Sequence, residues 1–118
     1  MILLKKYQDE AVNDFSEKLY KLLKKPNARH NLIFKAPTGA GKTIMMAAFL
    51  NRICEELPER YELEKRKAAF IWIAPNKLYI QSYNALKGYF AEMRSIKPIF
   101  FEDVYDNELQ PNEVLFVN

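Results

Sequence analysis

The segment of residues 36–43 combines residue types that bind phosphate. Its members are Ala36, Pro37, Thr38, Gly39, Ala40, Gly41, Lys42 and Thr43. Gly39 and Gly41 can adopt backbone angles closed to other residues, so successive N–H groups can turn towards one anion. Lys42 is placed to reach the outer phosphates of a nucleotide, and the Thr43 hydroxyl is placed to ligand a magnesium ion. The spacing therefore predicts a phosphate-binding loop, or Walker A motif, for a triphosphate with Mg²⁺.

The flanking sequence predicts the two elements that position such a loop. Leu32 to Phe34 form an apolar run that indicates a short strand before the loop, and helix formers from Ile44 to Leu50 indicate a helix after it. The start of that helix adds unpaired N–H groups and the positive end of its dipole. A plain glycine turn with a surface lysine is the alternative, but it leaves the coincidence of strand, glycine spacing, Gly-Lys-Thr and helix unexplained.

Composition indicates one small globular domain. The chain has 118 residues, of which 49% are hydrophobic and 28% are charged. These values fit a single domain over residues 1–118 with a real core. No apolar run has the length of a membrane span and no signal peptide pattern begins at Met1, so we expect a cytoplasmic protein. The net charge of +3 is a weak indication of an anionic partner.

Two residue counts limit the metal and redox chemistry. Cys54 is the only cysteine and His30 is the only histidine. A lone cysteine excludes an internal disulfide and a cysteine-based zinc site, and a lone histidine excludes a histidine metal pair. Because Cys54 falls among apolar helical positions, we expect a buried structural thiol there.

Hydrophobic periodicity predicts alternating strands and helices. We expect helices at about 7–25, 43–57 and 77–93, and strands at about 32–35, 68–74, 98–101 and 114–117. The nearly continuous apolar run at 68–74 fits a strand that is buried on both faces, with Pro75 ending it and Asn76 capping the next helix. Such an alternation implies parallel strands, right-handed crossovers and ligand binding at the carboxyl edge of the sheet.

Three motifs together resemble the first RecA-like lobe of superfamily 2 helicases and translocases. Residues 36–43 are similar to the first motif of that superfamily, in which alanine often opens the loop. The chain looks most like the ATPase (Res) subunit of type III restriction enzymes. The resemblance covers nearly the whole chain and implies an α/β fold. That fold is a truncated three-layer P-loop NTPase, with helices on both faces of a parallel sheet.

Tyr7-Gln8, at the start of the first predicted helix, is similar to the Q motif of that superfamily. In the superfamily this glutamine recognises adenine through its side-chain amide, and the resemblance assigns the same role to Gln8. An amide can donate to a ring nitrogen and accept from the amino group, which suits adenine. Taken alone, a glutamine near a helix start is more often a surface residue.

Residues 71–82 resemble motif Ia, which touches the nucleic-acid backbone. The resemblance assigns that contact to Pro75, Asn76, Lys77 and Gln81. A strand end that feeds a helix N-terminus, with a lysine nearby, is a reasonable phosphate site. A plain helix cap with a solvated lysine is the alternative, and the spacing from Pro75 to Gln81 is one residue shorter than in the common helicase pattern.

The resemblance implies the ATP-binding N-terminal part of an ATP-dependent DNA translocase. ATP and Mg²⁺ are its implied cofactors, Lys42 its implied catalytic residue, and DNA and a modification subunit its implied partners. The Asp-Glu pair of motif II and the second lobe are not found in residues 1–118. We therefore expect a fragment that binds nucleotide without hydrolysing it. A DEAD- or DEAH-type helicase fragment and a nucleotide-binding module that never hydrolyses ATP are the alternatives.

The strand before the loop has a further consequence for the sheet. A complete lobe would flank Leu32 to Lys35 with later strands that this sequence lacks. We therefore expect an open sheet edge at that strand, and either marginal stability of the chain alone or self-association along that edge.

Overall fold

A computed structural model of the chain describes residues 4–24, 31–35, 41–60, 68–91 and 96–118. The helices are α1 (Lys6–Leu23), α2 (Lys42–Arg60) and α3 (Leu78–Phe90), and the strands are β1 (Phe70–Ile73), β2 (Lys97–Phe100) and β3 (Glu113–Val117). Two single-turn 3₁₀ helices, Phe101–Asp103 and Tyr105–Asn107, connect β2 to β3.

The three strands form one parallel sheet in the order β1-β3-β2. Phe70 of β1 and Pro98 of β2 both lie beside Val114 of β3, and Trp72 and Phe100 both lie beside Phe116. The helix α3 makes the crossover between β1 and β2, as parallel strands require. The sheet confirms the predicted α/β class with parallel strands and is consistent with a truncated RecA-like fold.

One face of the sheet carries the core. Val114 and Phe116 of β3 are almost fully buried, and α3 covers them with Leu86 and with Tyr83, whose ring centroid lies 5.5 Å from that of Phe116. The helix α2 packs on α3, and α1 packs on α2. Apolar positions at helical spacing in α1 explain this order, because Val12 and Tyr20 lie on the stripe that faces α2 and are buried there.

The opposite face of the sheet is open. Side chains alternate between the two faces of a strand, so the neighbours of Phe70 and Trp72 in β1 point away from α3. These neighbours, Ile71 and Ile73, are 60% and 71% exposed. The expectation that β1 is buried on both faces is therefore wrong for the part of the chain that the structure describes.

The predicted strand before the phosphate loop does not form. Residues 31–35 carry no regular secondary structure and do not join the sheet. Phe34 instead packs edge-to-face on Phe15 of α1, with 5.1 Å between the ring centroids, while Ile33 is 76% exposed. An apolar run becomes a strand only when a neighbouring strand can pair with it, and no described strand lies beside this one.

Two expected boundaries also differ. The helix α2 continues through Pro58 to Arg60 instead of stopping before it. The helix α3 begins at Leu78, and its N-cap position is Lys77 with no capping hydrogen bond from a side chain. The expectation that Asn76 caps this helix is therefore wrong.

Candidate functional site

The side chain of Gln8 lies at the start of α1 and is only 7% exposed. Its Oε1 accepts a hydrogen bond of 3.0 Å from the backbone N–H of Lys5, the residue before the helix. This bond satisfies a donor that the first helical turn leaves open, and it also orients the amide. The Nε2 donor therefore points away from Lys5, and its distance to the Tyr7 hydroxyl is 3.5 Å. The sequence predicted that Gln8 has a role, and the structure shows a buried amide in a defined orientation.

Gly41 lies directly against this amide. A Cβ atom built on Gly41 would come within 2.5 Å of Gln8 Nε2, closer than real Cβ contacts allow. Gly41 also has a φ of +82°, in the left-handed region that favours glycine. Both the backbone angle and the close approach explain why a glycine ends this loop. The structure thus brings together two predicted site residues that are 33 positions apart in the sequence.

Lys42 and Thr43 begin α2 and are both exposed. Gly41 supplies the carbonyl that accepts the N–H of Met45 at 3.0 Å, which is the first hydrogen bond of the helix. The N–H groups of the first turn have no partner within a helix and carry the positive end of its dipole. An exposed lysine and an exposed hydroxyl at that end suit a phosphate with its magnesium ion.

The remaining predicted residues of the loop are Pro37, Thr38, Gly39 and Ala40, and they lie outside the described residues. Within the described parts of the chain, no three histidine, cysteine, aspartate or glutamate side chains group as metal ligands. Thr43 is the predicted magnesium ligand, and it lies in the first turn of α2.

The helix α2 is held to α1 by a packed interface behind the loop. Arg52 of α2 reaches Asp9 of α1, with 3.3 Å between Nη2 and Oδ1, and the Tyr20 hydroxyl donates to Glu56 at 2.9 Å. Cys54 is 8% exposed in the same helix, which confirms the predicted buried thiol. Burial, helped by the negative charge of Glu55, raises the pKa of Cys54 from 9.0 to about 11. This thiol is therefore structural.

The predicted nucleic-acid residues form a turn at the carboxyl end of β1. Pro75, Asn76 and Lys77 are exposed, and Gln81 is exposed in the first turn of α3. Asn76 and Lys77 have φ values of 55° and 63°, so two successive non-glycine residues are left-handed. Strained backbone of this kind persists only where the surroundings hold it, and it concentrates at functional sites.

Asn118 holds this turn, and sequence reasoning did not single it out. Its Oδ1 accepts a hydrogen bond of 3.4 Å from the backbone N–H of Lys77, and Val117 accepts one of 3.2 Å from Ala74. The sequence feature that could have indicated this role is the position of Asn118 directly after an apolar strand, because the carboxyl ends of parallel strands lie at one edge of the sheet. A cavity of about 450 Å³ lies at the same edge and is lined by aromatic rings, among them Tyr79 and Phe101.

The α/β fold with its parallel sheet is consistent with a truncated RecA-like lobe. The chain matches the family described as "Type III restriction enzyme, res subunit" over residues 1–118, and it belongs to that family. Family membership supports ATP binding by a helicase-like N-terminal part, as the resemblance implied, and it implies interaction with DNA. No curated protein and no solved structure gives a significant match to the chain. Of the helices in the described ranges, none is long and apolar enough to cross a bilayer.

Proposed function

We propose that this chain is the nucleotide-binding N-terminal part of the restriction subunit of a type III restriction-modification enzyme, an ATP-dependent DNA translocase. The observation that supports this proposal most strongly is the contact between the buried Gln8 amide and Gly41, the residue directly before the exposed Lys42. This contact supports the proposal that Gln8 recognises the base beside a phosphate-binding helix start. A phosphate-binding loop alone needs no such amide.

The base preference follows from the chemistry of the amide. Gln8 Oε1 already accepts one hydrogen bond from Lys5, and a carbonyl oxygen can accept a second. We propose that Oε1 accepts from the amino group of adenine while Nε2 donates to a ring nitrogen. Guanine presents a carbonyl where adenine has the amino group, so the two acceptors would face each other. A mismatch that leaves buried polar groups unpaired disfavours the wrong base by about 1–3 kcal/mol.

We also propose roles for the charged and hydroxyl groups of the loop. Lys42 neutralises charge on the outer phosphates, and the Thr43 hydroxyl holds Mg²⁺. A bound magnesium ion adds further charge neutralisation to the phosphates. We propose that residues 37–41 also bind the phosphates, with a backbone N–H available at every position except Pro37. These residues bind ATP, and we propose that the 118-residue chain does not turn it over, because an aligned water and a complete magnesium site need further groups.

The turn at residues 75–77 is proposed as the DNA contact of the same protein. Its support is the exposure of Lys77, the left-handed backbone and the neighbouring N-terminus of α3. Such contacts to phosphates position a protein on DNA without reading its sequence. A modification subunit and a second copy of this chain are the proposed protein partners, and the cytoplasm is the proposed location.

Base selectivity tests this function. Binding of Mg-ATP and Mg-GTP is measured by calorimetry for the unmutated chain, for Gln8→Ala and for Gln110→Ala. Gln8→Ala removes the acceptor that distinguishes the adenine amino group from the guanine carbonyl, so we expect the ratio of ATP to GTP affinity to fall by about tenfold. Gln110 is an exposed residue far along the chain, and its replacement should leave the ratio unchanged. Equal affinities for both nucleotides in the unmutated chain would remove the adenine role of Gln8.

A further inference from the structure

The orientation of the Gln8 amide is set by the chemistry of its neighbours. The backbone N–H of Lys5 lies 3.0 Å from one end of the amide, and an N–H can donate only to the amide oxygen. Exchanging the oxygen and the nitrogen would set two donors against each other. The Nε2 group therefore lies on the side of the amide that meets Gly41 and Tyr7.

One hydrogen bond does not fix the plane of this amide. The last side-chain torsion of glutamine is broad, so an amide that is anchored only at its oxygen can rotate about that contact. Gly41 limits the rotation on one side, because a Cβ atom added there would come within 2.5 Å of Nε2. A second contact at Nε2 is needed to hold this donor in one direction.

The Tyr7 hydroxyl supplies that second contact. Gln8 Nε2 donates to it over 3.5 Å, which is a long hydrogen bond. Side chains of consecutive residues in a helix do not normally face each other, so the Tyr7 side chain must lie across the start of α1 towards Gln8. Tyr7 is 48% exposed and Gln8 is 7% exposed. The phenol therefore lies at the boundary between solvent and the buried amide.

Neither the helix start nor the core explains this contact. The bond from the Lys5 N–H to Gln8 Oε1 and the bond from the Asp9 N–H to the Lys5 carbonyl already begin α1. In the described part of the chain, Tyr7 is not one of the side chains packed on the hydrophobic core. What the hydroxyl contact fixes is the direction of the Gln8 donor.

We propose that Tyr7 is a positioning residue for base recognition, whose hydroxyl holds the Nε2 donor of Gln8 towards the ring nitrogen of a bound adenine. An amide nitrogen has two hydrogens, so donation to Tyr7 and donation to a base are compatible. Tyr7 and Lys5 then fix the two ends of one amide. An amide that is free to rotate can turn its donor to the guanine carbonyl, whereas one that is fixed at both ends cannot.

This role rests on the proposed adenine contact of Gln8 and concerns the base alone. Tyr7 belongs to α1, whereas Lys42 and Thr43 begin α2. Loss of the Tyr7 hydroxyl should therefore change the preference between bases without changing how tightly the phosphate groups bind.

Tyr7→Phe tests the role, because it removes the hydroxyl and keeps the ring. Calorimetry measures the affinity of the 118-residue chain for Mg-ATP, Mg-GTP and inorganic tripolyphosphate with Mg²⁺. We expect the ratio of ATP to GTP affinity to fall about threefold, as for the loss of one long neutral hydrogen bond, and the affinity for tripolyphosphate to stay the same. Tyr7→Leu removes both the ring and the hydroxyl, and it should lower the ratio at least as much.

Tyr105→Phe is the matched control. It removes the hydroxyl of a tyrosine that is 77% exposed in the connection between β2 and β3, and it should leave all three affinities unchanged. Nuclear magnetic resonance adds a signature that a packing role would not give. The two Nε2 proton resonances of Gln8 should shift in Tyr7→Phe without nucleotide, whereas those of the exposed Gln110 should not.

The outcomes separate Tyr7 from Gln8. If the unmutated chain prefers ATP and Tyr7→Phe keeps that preference, the role of Tyr7 is overturned and that of Gln8 stands. A preference lost only in Tyr7→Leu would overturn it as well, since the ring would then be responsible. So would an equal loss of affinity for ATP, GTP and tripolyphosphate. Equal affinities for ATP and GTP in the unmutated chain would remove the adenine contact of Gln8, and the role of Tyr7 with it.

Discussion

Predicted ligand contacts lie in two regions, the proposed nucleotide end, where Gln8 meets Gly41, and the turn at residues 75–77. The two regions are held in different ways. Gln8 and Gly41 meet at the buried interface of α1 with α2, and a packed core lies behind them. The turn is exposed and has two left-handed residues in succession. It is held by hydrogen bonds of 3.0 Å from the Leu78 N–H to the Pro75 carbonyl and of 3.4 Å from the Lys77 N–H to Asn118 Oδ1. The nucleotide end should therefore tolerate little change, whereas the turn should gain stability when its strain is relieved.

Gly41→Ala should have the largest effect on stability. The new Cβ would lie 2.5 Å from Gln8 Nε2 if nothing moved, and the φ of +82° disfavours any side chain. We expect a loss of about 2–3 kcal/mol in the free energy of unfolding, together with a smaller preference for ATP over GTP. Denaturant titration measures the first effect and calorimetry the second.

Gly88→Ala is the matched control for that substitution. Gly88 lies in α3, and nothing lies within 4 Å of the Cβ that the substitution would add. Alanine in a helix interior is favoured over glycine by about 0.5–1 kcal/mol, so this variant should be more stable than the parent chain. A Gly41→Ala protein as stable as the parent would contradict the close packing at the nucleotide end.

Alkaline pH should weaken the core behind the nucleotide end by a smaller amount. The pKa of Cys54 is about 11 in the folded chain against 9.0 for an ordinary thiol. Above pH 9 the unfolded chain loses this proton first, so the free energy of unfolding falls as pH rises from 9 towards 11. The fall approaches about 2 kcal/mol. Cys54→Ala should remove this pH dependence. The unfolding free energies of the parent chain and of Cys54→Ala are measured as a function of pH, and their difference gives the contribution of the thiol. Parallel curves for the two proteins would contradict the burial of the thiol.

A substitution in the turn at residues 75–77 should instead raise the free energy of unfolding, and only slightly. Lys77→Gly relieves a left-handed residue and should stabilise folding by about 1 kcal/mol. The same change removes a charge, so DNA affinity should fall and its slope against salt concentration should decrease by about one unit. Fluorescence anisotropy with a labelled duplex measures this slope.

Lys87→Ala serves as the control for charge, because it removes a lysine from the last turn of α3, away from the strained backbone. It should change the salt slope less than Lys77→Gly does. If both variants lower DNA affinity equally, the turn has no special role and a diffuse positive surface accounts for binding.

Local sequence patterns predicted most of the fold. The amphipathic stripe of α1 is a local property, and so is the apolar run that became β1, because each depends on residues close in the chain. The pairing of residues 31–35 depends on a neighbouring strand, which no local pattern supplies. For the same reason the exposure of Ile71 and Ile73 could not be predicted, since it depends on what covers the far face of the sheet.

The residues of the candidate site also differ in how far local sequence could predict them. The spacing of Gly41, Lys42 and Thr43 is encoded in consecutive residues, so it could be predicted as a phosphate site. The contact of Gln8 with Gly41 joins two distant segments, so no local pattern indicates it. The resemblance to a known family indicated only that Gln8 belongs to the nucleotide site. The hydrogen bond from Lys77 to Asn118 has no local signal beyond the end of a strand.

Calorimetric titration of the 118-residue chain with Mg-ATP tests the central claim most directly. The account predicts one binding site per chain and an affinity that falls at least tenfold in Lys42→Ala, since a charge-assisted contact to phosphate is lost. Phosphate release measured on the same samples should stay at background. Binding that Lys42→Ala leaves unchanged would contradict the assignment of residues 36–43 as the phosphate site, and so would the absence of any binding by the unmutated, folded chain.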